Sequence, residues 1–116
     1  MSRKECGKHQ KGIEDIINRL ENESTIDWKT IGNNMEYGIN IGFPDERTIG
    51  ELDVYAIACR PSDGSRMVIF EYKCNDGSRS KAENQLSRAK DWYSRRGYDV
   101  STFYCYGDPV KYEMVI

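Results

Sequence analysis

The sequence has little of what extracellular, membrane and zinc-bound proteins depend on. Its 116 residues include one histidine, His9, and four cysteines, Cys6, Cys59, Cys74 and Cys105, with no C-x-x-C pair among them. That spacing excludes the usual zinc frameworks, which need closely spaced Cys and His ligands. No stretch approaches the roughly 20 apolar residues of a membrane span, and the N-terminal MSRKECGKHQKG lacks the apolar segment of an export signal. A soluble, intracellular, cytoplasmic protein is the expectation, with no membrane partner and with cysteines that stay reduced and act as small apolar residues. There is also no excess of one charge: 17 basic residues face 19 acidic ones, so any anion-binding surface has to be local.

What is present is a core-forming chain of single-domain length, 1–116. Ile13, Ile16, Ile17 and Leu20 recur at helical spacing and predict an amphipathic helix from Gln10 to Asn22, with Glu14 and Glu21 on one flank of its apolar face. Gly32, Gly38, Gly42, Pro44 and Gly50 interrupt the next stretch. One strand is expected near Met35 to Ile41, with a short earlier one around Ile26 to Ile31, and FPDERTIG reads as a loop.

Two apolar runs follow, Glu51 to Cys59 and Met67 to Cys74, separated by Pro61-Ser62-Asp63-Gly64. Proline presets φ, aspartate caps the turn and glycine permits positive φ, so the pair predicts an antiparallel hairpin. Leu52, Val54, Ala56 and Ala58 share one parity and Tyr55, Ile57 and Cys59 the other, as in a strand buried on both faces. Ser80-Lys81-Ala82-Glu83 is a capping box that opens a second helix running to about Arg96, with Gly97 as its terminator. Its buried stripe is Ala82, Leu86, Ala89 and Tyr93; Lys81, Arg88 and Arg95 form a basic stripe beside it, with Gln85 and Trp92 on the border. Strands at Val100 to Tyr106 and Val110 to Ile116 complete an αβββαβ order with a short final strand.

Three charges conflict with this apolar pattern. Asp53, Glu71 and Lys73 lie inside the runs that read as buried strand, where charge is rare unless it is paired or binds a metal. A turn centred near residues 62 to 64 puts Asp53 opposite the Glu71 to Cys74 stretch, and Glu71 and Lys73 share a face. Two carboxylates brought together repel unless they share a proton or a cation. Hard oxygen ligands suit Mg²⁺ or Mn²⁺, and a lysine aimed at the same place can assist a water or neutralise charge on a phosphoryl group.

Asp53 followed across a hairpin by Glu71-Tyr72-Lys73 resembles the PD-(D/E)xK nuclease signature, here as D…ExK with Leu52 where the superfamily has its proline. The αβββαβ order resembles the restriction-endonuclease-like core, a central mixed sheet flanked by helices in an α/β fold. The nearest pattern is that of small archaeal-type Holliday junction resolvases and related viral or phage nucleases. That resemblance implies Asp53 and Glu71 as metal ligands and Lys73 as the catalytic lysine. It further implies a carboxylate from the first helix, best matched by Glu14 with Glu21 one heptad later as the alternative, and Gln85 as the glutamine of the second helix. The implied activity is Mg²⁺- or Mn²⁺-dependent hydrolysis of DNA, with Lys81, Arg88 and Arg95 contacting phosphates and a homodimer presenting two sites. The rival readings are a non-catalytic nucleic-acid- or protein-binding module that keeps the fold, and an RNA nuclease with the same metal chemistry.

Overall fold

A computed structural model describes residues 9–24, 26–37, 50–60, 64–74 and 79–115. In chain order the elements are α1 (His9–Asn22), β1 (Thr30–Tyr37), β2 (Gly50–Arg60), β3 (Gly64–Lys73), α2 (Arg79–Ser94), β4 (Tyr98–Tyr106) and β5 (Lys111–Val115). Both helices fall where apolar periodicity predicts them. After α2 the chain leaves the helix through Gly97, whose φ of 94° is left-handed and whose N–H donates to the Ser94 carbonyl. A side chain there would meet nothing within 4 Å, so backbone conformation rather than space is what requires glycine.

The strands form one five-stranded mixed sheet in the order β1-β2-β3-β4-β5, so the domain is α/β. Strands β2 and β3 are the expected antiparallel hairpin, registered from Arg60↔Gly64 to Val54↔Phe70; the turn residues 61–63 lie outside the described residues. The crossover through α2 brings β4 parallel to β3, and β5 folds back antiparallel on β4.

The first strand differs from the expectation. It begins at Thr30 rather than Met35, and the expected continuation over 38–41 lies outside the described residues. The reason is tertiary: β1 pairs with β2 from Thr30↔Ile57 to Tyr37↔Gly50. That pairing carries Gly32, Asn33 and Asn34, residues of low strand propensity, into the sheet. Of the separate strand expected around Ile26 to Ile31, only Thr30 and Ile31 are strand, as the opening of this same element; residues 26–29 are not in a strand.

Each face of the sheet carries one helix and one core. Ile13, Ile16 and Leu20 of α1 pack with Val54, Ala56, Val68, Phe70 and Tyr72. On the other face, Ala82, Leu86 and Ala89 of α2 pack with Leu52, Met67, Ile69, Val100 and Tyr104. The central strands are thus covered on both sides, which is why they read as nearly continuous apolar runs. Gly12 lets α1 sit directly on Tyr72, since a Cβ there would fall 2.5 Å from the ring. The reading of all cysteines as reduced is corrected at one position: Cys74 is disulfide-bonded, whereas Cys105 is a free, buried thiol. Among the described residues no helix is long and apolar enough to cross a membrane.

Candidate active site

The unusual charges meet where the sheet forks. The β2–β3 ladder ends at Val54↔Phe70; beyond it β2 stays with β1 as far as Gly50, and β3 stays with β4 as far as Lys73. Asp53 and Glu71 are the next pair in register, at the opening. Asp53 Oδ2 accepts the Tyr72 N–H at 2.8 Å, so a side chain satisfies a backbone donor that the hairpin ladder has released.

The strand alternation also slips here. Val54 belongs to the core under α1 and Leu52 to the core under α2, although residues two apart on a regular strand share a face. The same slip separates Ile31 from Met35 and Tyr37 on β1. Between them Asn34, the position opposite Asp53, has φ of 50°, a left-handed conformation that asparagine tolerates better than most residues. This corrects the expectation of one unbroken parity from Leu52 to Ala58. The kink turns the Asp53 carboxylate towards β3.

Glu71 is 5% exposed. Its carboxyl is pushed up to about 9, first by burial, then by the charge of Asp53 and a hydrogen bond shared with it; Lys73 opposes the shift and Glu51 adds to it. Burial and the Asp53 charge therefore favour the protonated form of Glu71 at neutral pH. Lys73 Nζ stands 4.0 Å from Glu71 Oε1, both side chains largely buried. The Cys105 thiol is pushed up by burial and by both carboxylates, which leaves it inert rather than nucleophilic. Burial beside α2 raises the pKa of the Tyr37 hydroxyl, with Arg88 opposing the shift and Glu71 adding to it.

The other predicted residues are placed unevenly. Glu14 is exposed, accepts from Gln10 Nε2 at 3.4 Å, and is not among the charges acting on Glu71; Glu21 is exposed as well. Gln85 lies on the border of α2, and its Oε1 is buried without a hydrogen-bond partner. Lys81 and Arg88 are exposed, and Arg95 is exposed and paired with Asp91 at 3.2 Å.

Two residues of the cluster escaped the sequence reading. His9 opens α1, with Nε2 3.6 Å from Asp53 Oδ2 and its ring edge-on to Tyr72 at 5.9 Å. Carrying the apolar periodicity back from Ile13 and Ile16 by four and seven residues reaches His9, so the signal was present. At about 100° per residue, Glu14 sits about 140° around the helix from it. Glu51 was marked only by its place two residues before Asp53.

Asp53 and Glu71, adjacent in register at the fork, suit a hard divalent cation, whose charge would replace the proton that burial and the Asp53 charge favour on Glu71. Among the described residues no group of three or more His, Cys, Asp and Glu side chains is placed to hold a metal ion. A Mg²⁺-type site does not require one, because it takes one or two carboxylates and completes its shell with water and phosphate oxygens. A cleft of about 70 Å³, lined by Lys11, Asp15, Tyr72 and Asp108 among others, lies between α1 and the β4–β5 turn, and neither Asp53 nor Glu71 lines it. Comparison with protein-family models, with curated proteins and with solved structures found no match to this chain.

Proposed function

We propose that this domain is a metal-dependent nuclease of the PD-(D/E)xK type, with a restriction-endonuclease-like core, that hydrolyses phosphodiester bonds in DNA. One observation carries the reading: Asp53, Glu71 and Lys73 converge at the fork of β2 and β3, with Glu71 and Lys73 largely buried and Asp53 hydrogen-bonded to the Tyr72 N–H. An α/β order of helix, three strands, helix and two strands is further support.

In this reading Asp53 and Glu71 hold Mg²⁺ or Mn²⁺, which supplies charge neutralisation and an acidified water when bound. Asp53 is oriented by the Tyr72 N–H. Lys73, kept close to Glu71, is aimed to hold the attacking water or to offset charge on the phosphate oxygens. Lys81 and Arg88, exposed on α2, meet the DNA backbone; Arg95 does so on releasing Asp91. A branched substrate and a homodimer with two sites follow from the resolvase-like pattern. Helix α1 contributes through His9, and Glu14 acts only if substrate or a second chain reaches its exposed face.

The test is cleavage of supercoiled, linear and four-way-junction DNA with Mg²⁺ or Mn²⁺ by the wild type, Asp53→Ala and Lys73→Ala. Each substitution is expected to lower the rate at least about 10²-fold, roughly 3 kcal/mol of barrier. Cleavage that survives both overturns the assignment. DNA binding without any cleavage points instead to a binding module.

A further inference from the structure

Within the carboxylate cluster, His9 is the contribution of α1, and it stands beside Asp53 rather than beside Glu71 or Lys73 in the contacts of the site. It comes from a different element than Asp53, Glu71 and Lys73, and its side chain and that of Asp53 are both largely buried. Asp53 Oδ2 is approached by the Tyr72 N–H at 2.8 Å and by His9 Nε2 at 3.6 Å. Both sit on one rigid platform. The Tyr72 hydroxyl donates to the Gly107 carbonyl at 2.9 Å, its ring packs against Gly12 and edge-on against His9, and α1 is anchored by the fully buried Ile13 and Ile16.

We infer that His9 is a positioning residue for Asp53: together with the Tyr72 N–H it holds Oδ2 from two sides, so that the other carboxylate oxygen is the one presented to a cation shared with Glu71. The inference rests on the reading of Asp53 and Glu71 as a cation-binding pair. Groups that orient a ligating carboxylate typically matter 10- to 100-fold for metal affinity without touching the metal. A donor is all this role requires. Glutamine, whose amide nitrogen reaches about as far as the imidazole Nε2, should therefore substitute for histidine, which it would not do if His9 were itself a nitrogen ligand.

Two measurements on the intact chain separate the outcomes. Mn²⁺ affinity, read by titration calorimetry and by the electron paramagnetic resonance signal of free Mn²⁺, is compared for wild type, His9→Ala, His9→Gln and Asp53→Asn. Hydrogen exchange of the Tyr72 amide, read by NMR without metal, reports the grip on Asp53 directly. His9→Ala is expected to weaken Mn²⁺ binding by about 10- to 100-fold and to speed exchange at Tyr72, and His9→Gln to restore both to within about threefold. Unchanged affinity and exchange in His9→Ala overturn the inference, as does a His9→Gln variant that stays as weak as His9→Ala. If the wild type binds Mn²⁺ no better than Asp53→Asn, the cation-site reading fails, while exchange at Tyr72 still decides whether His9 holds Asp53.

Discussion

Glu71→Gln should make the metal-free protein more stable, and increasingly so as pH rises. Glutamine keeps the shape and hydrogen-bonding capacity of protonated glutamic acid but carries no proton to lose. In the wild type the Glu71 carboxyl sits near 9 against an ordinary value of 4.5, because it is buried beside Asp53. The folded state therefore keeps a proton that the unfolded chain releases above about pH 4.5. Its contribution to stability is fully present below that pH and is lost progressively up to about 9. Each pH unit in this window costs up to about 1.4 kcal/mol, which amounts to roughly 3 kcal/mol by pH 7. For a domain of this length that corresponds to a melting temperature higher by about 10 °C in the variant at pH 7, with near-equality at pH 5. Urea unfolding at pH 5, 7 and 8.5 in the presence of a chelator measures the difference, provided the urea dependence is the same for both proteins. A gap that does not widen between pH 5 and 8.5 refutes the raised, buried Glu71 carboxyl. Mn²⁺ at 100 times its dissociation constant should then stabilise the wild type by about 2.7 kcal/mol and leave Glu71→Gln behind.

Other substitutions probe the platform and the surface. Gly12→Ala forces a Cβ to within 2.5 Å of a tyrosine ring that is buried and tethered, so α1 and the sheet must separate; a loss of about 1–3 kcal/mol is expected in urea unfolding. Tyr72→Phe removes the bond to the Gly107 carbonyl and should cost about 1 kcal/mol in the same assay, while leaving the backbone N–H to Asp53 in place. Replacing Lys81 and Arg88 together by alanine should weaken DNA binding. The slope of log affinity against log salt should fall by about one for each phosphate that is no longer neutralised.

Much of the architecture could be read in advance because it is local. Periodicity marks the helices, Gly97 stops the second one, and two apolar runs of similar length predict the hairpin whose register makes Asp53 and Glu71 neighbours. The start of β1 was not legible, because Gly32, Asn33 and Asn34 have turn-like preferences that only pairing with β2 overrides. The disulfide at Cys74 was hidden for a similar reason: four widely spaced cysteines do not say which are close in space.

The same division runs through the charged cluster. Strand spacing and turn chemistry were enough to single out Asp53, Glu71 and Lys73, since a charge in an apolar strand conflicts with the pattern wherever the chain goes. How they meet was decided by tertiary structure. The ladder stops at Val54, Asn34 adopts a left-handed backbone, and Leu52 and Asp53 change sides as a result, which no alternation rule anticipates. The choice of α1 residue was decided there too. Docking of Gly12 on Tyr72 turns His9, rather than Glu14, towards Asp53, because the rotation of a helix about its axis is set by what packs beneath it and not by its own sequence.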